Sequence, residues 1–323
     1  MRFTVAICTW NRATLLPRVL ERLAQVRDPP GTWEVVVVNN NCTDDTERIL
    51  DTFAGRLPLR RAFEPRQGLS HARNTAAVQA RGDYVVWTDD DALVEAGWLV
   101  AYARAAEQHP DASVFGGPVR PCFEGTPPPW LSAAWRDIGA AFAARDLGDE
   151  PFELDNRGEL PYGANFVVRT REQRLFPYDP ALGRCLAGGA LGEETAVIRE
   201  ILAAGGTGWW VPDASVEHWI PKKRQTVRYL RSYYALQGRT FHQWDDDGGL
   251  TFRGRPLWLW RRILRTELAY TRARLSRDPH RWLKPLVEVS TLRGATRRVA
   301  SAGVTKTEKI ESTRSAQRTR GVL

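Results

Sequence analysis

The sequence is poor in cysteine, and its four cysteines are far apart. Cys8, Cys42, Cys122 and Cys185 include no CxxC pair, and two of them lie in segments that read as a buried strand or the end of one. Widely separated cysteines without a pairing motif are typical of free thiols in a reducing compartment. The sequence therefore predicts a cytosolic protein with free thiols.

Segments for export, for membrane insertion and for two common nucleotide-binding loops are also missing. No apolar run reaches the roughly 18 to 20 residues that cross a bilayer. Met1-Arg2 leads directly into the strand-like residues 3–8, without a charged and then apolar leader. Neither Gly-x-Gly-x-x-Gly nor Gly-x-x-x-x-Gly-Lys-Ser/Thr occurs, which argues against dinucleotide and P-loop sites. We expect the protein to be cytoplasmic.

Positive charge is confined to one end of the chain. The formal net charge is +8, yet residues 251–323 carry 18 Lys or Arg against 5 Asp or Glu, and residues 1–250 carry 28 against 33. Any contact with a nucleic acid or a membrane surface is therefore expected in the C-terminal quarter.

Hydrophobic patterning predicts an α/β fold. Apolar runs at 3–8, 34–38 and 84–87 read as buried strands, and the intervening segments 15–23 and 71–80 show helical spacing. Such alternation is typical of a doubly wound, mostly parallel sheet, in which ligands lie beyond the carboxyl ends of the strands. Residues 130–160 lack a periodic pattern and predict an irregular loop on the acceptor side.

An acidic run, Asp89-Asp90-Asp91, follows the strand at 84–87. Three adjacent carboxylates repel one another unless solvent or a cation compensates, and Mg²⁺ and Mn²⁺ often bridge carboxylates to substrate phosphates. On the triplet alone, a solvated loop that caps the next helix is an equally good interpretation. The surrounding sequence favours the metal.

Seven segments together resemble family 2 of the glycosyltransferases, inverting enzymes with the GT-A fold. In chain order they are VAICTWNR (5–12), VVNNNCTDDT (37–46), GLSHARN (68–74), GDYVVWTDDD (82–91), GAN (163–165), GEE (192–194) and His218. The resemblance implies a GT-A domain, a nucleotide-binding Rossmann-like sheet flanked by helices, followed by a C-terminal helical extension.

The resemblance also implies residues that bind the nucleotide sugar. They are Thr9, Asn11, Arg12, Asn39, Asn41, Arg73, Asp89 and Asp90. Asn39 stands where the family often has an aspartate that reads the base, and because an amide both donates and accepts, the nucleobase stays open. Arg73 would contact phosphate or ribose, unless it is an ordinary arginine on a helix surface.

The metal and the catalytic base complete the implied site. A divalent metal, Mn²⁺ or Mg²⁺, would be bound by Asp91, His218 and Asp89, although a lone histidine is as often structural. Glu194 would be the general base and Glu193 its neighbour, which contacts the acceptor or orients the site. The family more often has aspartate at the second position, and acidic residues at a helix start also arise from the helix dipole alone.

Two basic segments carry open alternatives. The residues from Lys222 to Arg231 form either a loop over the leaving diphosphate or a solvated helix face. The segment 256–290, with Trp258, Trp260, Arg261, Arg262, Leu264, Arg265 and Tyr270, fits either a helix at a peripheral membrane surface or one packed on the protein. Nucleic-acid binding is disfavoured because no recognition motif is present.

The predicted organisation has three parts. Residues 1–240 form the catalytic domain, with a nucleotide-binding half at 1–118 and an acceptor half at 119–240. Residues 241–295 form a basic amphipathic extension, and 296–323 a disordered tail. No pattern indicates an oligomeric state.

The predicted reaction moves a sugar from a nucleoside diphosphate, with UDP expected, to a hydroxyl of a glycan, a lipid-linked saccharide or a small natural product. A sugar-nucleotide nucleotidyltransferase is the first alternative, but the loop after the first strand lacks the usual glycine. A phosphatase that uses an acidic run is disfavoured, because Ala92-Leu93, which directly follows Asp91, does not match the residues expected after such a run. A catalytically silent protein that docks through its basic end is the alternative from another class.

Overall fold

The structure is a computed structural model that describes residues 2–183, 191–241, 250–276 and 278–297. The strands are β1 (Arg2–Thr9), β2 (Thr32–Asn39), β3 (Leu59–Phe63), β4 (Tyr84–Asp89), β5 (Ala92–Val94), β6 (Ala112–Gly116), β7 (Val119–Phe123), β8 (Phe152–Glu153), β9 (Asn165–Arg169), β10 (Thr207–Trp210), β11 (Val216–Ile220), β12 (Thr251–Phe252) and β13 (Arg255–Pro256). The α-helices are α1 (Leu16–Leu23), α2 (Thr46–Phe53), α3 (Leu69–Gln79), α4 (Trp98–Gln108), α5 (Pro129–Ala133), α6 (Trp135–Ile138), α7 (Thr170–Leu175), α8 (Glu193–Ala203), α9 (Val227–Phe241), α10 (Leu257–Arg274) and α11 (Pro279–Ala295).

The central sheet has eight strands in the order β3-β2-β1-β4-β9-β6-β10-β8. Strands β3, β2, β1 and β4 are parallel, as are β6 and β10, whereas β9 runs antiparallel to both of its neighbours. Alternate residues of β2 enter two hydrophobic clusters, Val35 and Val37 in one and Val36 and Val38 in the other. Both faces are therefore covered, which explains the continuous apolar runs of the sequence.

Strand register brings the predicted polar loops together. Thr9 at the end of β1 pairs with Asn39 of β2, and Cys8 pairs with Asp89 of β4. The loops after these three parallel strands consequently leave the sheet at the same edge, as the strand pattern predicted.

A second sheet of three strands, β5-β11-β7, lies directly after the acidic run. His218 of β11 pairs with Ala92 of β5, and the Trp219 amide donates to the Asp91 carbonyl at 2.8 Å. This pairing brings two segments that are far apart in the chain side by side.

Residues 130–160 differ from the irregular loop that we expected. They contain α5, α6 and a 3₁₀ helix at Gly139–Phe142. Leu131, Ile138 and Phe142 are buried in a cluster that also includes Leu230 of α9 and Trp282 of α11. Helices of one turn show no periodicity in a sequence, and here packing holds them.

The C-terminal helices pack against the rest of the protein. Helices α9 and α11 cross closely at two glycines, Gly238 of α9 and Gly294 of α11. A Cβ added at Gly238 would lie 2.0 Å from the Thr291 carbonyl oxygen, and one added at Gly294 would lie 1.8 Å from the Ala235 carbonyl oxygen, so neither position has room for a side chain. The predicted tail lies outside the described residues from 298 onward. Within the described ranges, we find no helix with both the length and the apolar character needed to cross a membrane.

Candidate active site

A cavity of about 1210 Å³ opens at the carboxyl ends of β1 and β4. Its wall also includes the start of α8, the end of β11 and one side of α9. The position agrees with the rule that ligands of open α/β sheets bind beyond the strand ends.

The loop after β1 forms one wall of this cavity and includes Thr9, Asn11 and Arg12. Asn11 has a left-handed backbone (φ 51°), and its Oδ1 accepts a hydrogen bond from the Thr43 amide at 2.7 Å. The Ala13 amide donates to Asp44 Oδ2 at 2.8 Å. The loops after β1 and β2 are thus tied together, which fixes the predicted nucleotide-binding residues of the first loop.

The three asparagines at the end of β2 and directly after it differ in their hydrogen-bond partners and in whether they line the cavity. Asn39 Oδ1 accepts from the Cys42 amide at 2.8 Å and its Nδ2 donates to Glu47 Oε1 at 2.6 Å, while Asn41 donates to the Pro65 carbonyl at 2.5 Å. Neither side chain contributes to the cavity wall, whereas Asn40 does. Contact of Asn39 and Asn41 with the nucleotide stays a prediction. The Asn40 amide is used within the protein, because its Nδ2 donates to the Glu64 and Arg66 carbonyls and its Oδ1 accepts from the Gly68 amide.

The first two acidic side chains have different partners. Asp89 Oδ1 lies 3.6 Å from Arg73 NH2, and Asp90 Oδ1 lies 3.9 Å from Arg12 Nε. Burial, together with the neighbouring charge of Asp91, raises the pKa of Asp90 to about 7. Asp90 is therefore protonated for part of the time near neutral pH.

Asp91 has three cationic or titratable partners. Its Oδ1 lies 3.4 Å from His218 Nε2, and its Oδ2 lies 3.2 Å from Arg12 NH1 and 3.4 Å from Arg224 NH1. Burial alone would raise the pKa of Asp91, but the charges of His218, Arg224 and Arg12 outweigh it and hold the pKa well below its usual range. Asp91 is thus ionised at neutral pH.

Asp91 and His218 offer an oxygen and a nitrogen donor side by side, and both are buried. The structure does not bring Asp89 to this pair, and within the described part of the chain no three His, Cys, Asp or Glu side chains converge to hold a metal ion. A divalent ion at a diphosphate completes its coordination with phosphate oxygens and water. Two protein ligands therefore fit Mn²⁺ or Mg²⁺ that is held jointly with the substrate.

Two glutamates at the start of α8 line the same cavity. Glu194 Oε1 accepts from the Gly163 amide at 3.3 Å, and Glu193 Oε1 lies 3.4 Å from Arg73 NH1. Burial and the charge of Glu194 raise the pKa of Glu193 to about 7. The glycines at 188 and 189, which the sequence places before this helix, lie outside the described residues.

Arg73 is the most enclosed charge of the site, with 3% of its surface exposed. It contacts Asp89 at 3.6 Å and Glu193 at 3.4 Å, and its guanidinium also lies 5.3 Å from the centre of the Tyr178 ring. Burial would lower the pKa of Arg73, but the surrounding carboxylates raise it above its usual value. Arg73 therefore links the acidic run to the two glutamates, and its contact with phosphate or ribose stays a prediction.

Sequence reasoning missed several residues of the cavity wall. Trp10, Arg18 and Tyr229 line the cavity, and Trp10 was detectable because it lies between two predicted nucleotide-binding positions. Of the basic stretch, Lys223 and Arg224 line the cavity, whereas Arg231 pairs with Glu267 of α10 at 3.3 Å. The contact of Lys223 and Arg224 with a leaving diphosphate stays a prediction, whereas Arg231 is half-buried against α10 and does not lie on a solvated helix face.

Comparison with known proteins places this geometry in a family. The profile described as "Glycosyl transferase family 2" matches residues 4–158. The succinoglycan biosynthesis protein ExoM of Rhizobium meliloti is 25% identical over 250 residues, which are 74% of each chain. Residues 4–158, just under half of the chain, match glycosyltransferase family 2. The protein is a glycosyltransferase, as the seven segments predicted.

Another relative of this glycosyltransferase matches over a smaller share of its own length, whereas a solved structure matches over most of its chain. Validoxylamine A glucosyltransferase of Streptomyces hygroscopicus subsp. limoneus is 28% identical over 156 residues, 48% of this chain and 34% of that enzyme. The crystal structure of Staphylococcus aureus TarS 1–349 with UDP has a TM-score of 0.54 at 15% identity and covers 92% of this chain and 89% of that one. At this identity the structural likeness shows the fold, and the GT-A prediction is confirmed.

Proposed function

We propose that this glycosyltransferase moves a sugar with inversion from a nucleoside diphosphate, with UDP as the expected carrier, to a hydroxyl of a glycan, a lipid-linked saccharide or a small natural product. The proposed reaction uses a divalent metal at Asp91 and His218 and takes Glu194 as its base. The observation that carries it is the 3.4 Å approach of Asp91 and His218 in a cavity that Glu194 also lines. The proposed organisation keeps the nucleotide-binding half at 1–118 and the acceptor half at 119–240.

The names of related proteins support the donor and acceptor classes. TarS was solved with UDP and with UDP-GlcNAc, and a Pyrobaculum calidifontis mannosyltransferase was solved with GDP-Man and Mn²⁺. Relatives are named for succinoglycan, glucosyl-dolichyl phosphate and validoxylamine A. These span a polysaccharide, a lipid-linked saccharide and a small molecule, and the proposal keeps all three acceptor classes. A cytoplasmic site of action stays a prediction of the sequence.

The donor end of the cavity supplies positive charge for a departing diphosphate. A metal bound at Asp91 and His218 would neutralise that leaving group as a Lewis acid. The guanidinium groups of Arg12 and Arg224, which pair with Asp91, are close enough to transfer their contacts to phosphate oxygens. Thr9, Asn11 and Trp10 would hold the nucleoside in the wall beside them.

At the acceptor end, Glu194 takes the proton of the attacking hydroxyl. The hydroxyl oxygen forms the new bond to the anomeric carbon, while the bond from that carbon to the diphosphate oxygen breaks on the opposite face. Burial raises the pKa of Glu193 to about 7, so Glu193 carries a proton for part of the time near neutral pH. A base within reach of the hydroxyl contributes roughly 10²- to 10⁴-fold to such a step.

Calorimetric titration with nucleoside diphosphates, with and without Mn²⁺, and donor turnover on matched variants test this proposal. Asp91→Asn and His218→Ala should weaken metal-dependent UDP binding. Glu194→Gln should keep that binding and lose on the order of 10²- to 10⁴-fold in turnover. Glu200→Gln, an exposed carboxylate on the same helix α8, is the control and should retain both.

Two results would overturn the assignment. The metal role fails if UDP binds equally well in the presence of a chelator and after Asp91→Asn. The base role fails if Glu194→Gln turns over donor as fast as the Glu200→Gln control does.

A further inference from the structure

Helix α10 has one face that is fully used within the protein. Leu259 and Ile263 are buried against Val289 and Leu292 of α11, with Trp260 packed beside them. Two of the aromatic residues predicted for a membrane surface make contacts within the protein instead. The Trp260 indole donates to the Phe252 carbonyl at 2.9 Å, and the Arg231 guanidinium lies 4.5 Å from the centre of the Tyr270 ring.

The opposite face carries an exposed apolar row. Leu264, Leu268 and Leu275 are exposed by 63%, 51% and 87%, although leucines of this kind are normally turned inward. Their spacing of four and seven residues places them along one side of the helix. At 1.5 Å per residue, the row extends over roughly 16 Å.

An exposed arginine lies three residues before each leucine of the row. Arg261, Arg265 and Arg272 are exposed, and residues three apart are neighbours on a helix surface. None of the three forms an ion pair within the described ranges. The acidic residue of the helix, Glu267, forms ion pairs elsewhere: its Oε1 lies 3.3 Å from Arg231 NH2 and its Oε2 lies 2.9 Å from Arg293 NH2.

We propose that this Leu–Arg face, formed by Arg261, Leu264, Arg265, Leu268, Arg272 and Leu275, docks on an anionic membrane surface. The leucines would enter the boundary between headgroups and acyl chains, and the arginines would contact lipid phosphates. Charge complementarity selects this partner over a second copy of the chain. Two copies that met through this face would bring like arginines together, which is costly.

Sedimentation of the full chain with vesicles tests the proposal without any need for turnover. The protein should sediment with vesicles of phosphatidylcholine and phosphatidylglycerol, and much less with phosphatidylcholine alone. Replacing Arg261, Arg265 and Arg272 by Gln should weaken binding on the order of 100-fold at low salt, because each basic residue contributes about fivefold. The same exchange at Arg104, Arg171 and Arg199, exposed arginines of α4, α7 and α8, is the charge-matched control.

A second pair of variants isolates the apolar contribution. Leu264→Ser should lower vesicle binding severalfold, whereas Leu175→Ser should leave it unchanged, since Leu175 on α7 is similarly exposed, by 59%. A cooperative thermal unfolding transition in both variants is the control that each is folded.

Three outcomes would overturn the membrane assignment. The first is wild-type protein that ignores anionic vesicles, and the second is equal loss of binding in the α10 variants and their matched controls. The third is a dimer in sedimentation velocity that Leu264→Ser converts to a monomer without lipid, which would assign the face to a second copy.

Discussion

Replacement of Arg73 tests whether one buried cation holds the two ends of the site together. The Arg73 guanidinium lies 3.4 Å from Glu193 and 3.6 Å from Asp89. At 3.4 Å and an effective dielectric constant near 20, a charge pair is worth about 5 kcal/mol before desolvation. Removing one partner of a buried pair typically costs about 3–5 kcal/mol, because the other charge is left uncompensated. At a pH above 7, where Glu193 is mostly ionised, we expect Arg73→Met to lower the free energy of unfolding by about 3–5 kcal/mol.

The two carboxylates should not respond equally. The Glu193 side chain is 8% exposed and that of Asp89 is 34% exposed, so solvent screens Asp89 more strongly. In Arg73→Met, adding Glu193→Gln should therefore recover about 2 kcal/mol or more, and adding Asp89→Asn less than about 1 kcal/mol. Arg73→Lys keeps the charge but loses the planar fork, and it should fall between wild type and Arg73→Met.

Urea denaturation is measured on seven proteins: wild type, Arg73→Met, Arg73→Lys, the two carboxylate single variants and the two double variants. The midpoints and slopes supply both double-mutant cycles. The reasoning is refuted if Arg73→Met costs less than about 1 kcal/mol, or if the coupling to Asp89 equals or exceeds the coupling to Glu193.

Two further predictions concern the stability of the protein. Because the pKa of Asp90 is raised to about 7, the folded state binds more protons than the unfolded state from about pH 4 to 7, so this residue's contribution to stability falls as the pH rises. Asp90→Asn should gain stability over wild type across that window and level off above it, and a difference that does not change with pH contradicts the assignment. Gly294→Ala, whose Cβ would lie 1.8 Å from the Ala235 carbonyl, should cost about 1–3 kcal/mol or more in thermal unfolding. Gly55→Ala, with no atom within 4 Å of the added Cβ, should change stability by less than about 1 kcal/mol, and equal effects would remove close packing as the cause.

The sequence predicted the parts of the fold that have a local cause. Strands β1, β2 and β4 were evident because both of their faces are buried, which leaves an uninterrupted apolar run. Helix α3 was evident from the helical spacing of residues 71–80. The short helices at 129–142 were not, because a single turn carries no periodic signal and is stabilised by distant residues such as Trp282.

The candidate residues followed from the sequence, but their partners did not. Asp91 and His218 were paired by resemblance alone, and their actual approach depends on the register between β5 and β11. Asn39 was predicted to contact the base, and in the structure its side-chain amide is hydrogen-bonded to the Cys42 amide and to Glu47. Hydrogen bonds between separate loops are set by tertiary packing, which a pattern of residue types does not contain.

The burial of Arg73 was detectable, and it changes how the site is understood. Ala72 and Ala76 belong to the buried face of α3, and Arg73 lies on that face with them. An arginine among small apolar residues on the inner side of a helix needs a buried counter-charge, because an isolated buried charge is strongly unfavourable. Asp89 at the end of β4 and Glu193 at the start of α8 provide it. The acidic run and the glutamate pair are therefore electrostatically connected, so that a change in charge at one of them alters the field at the other.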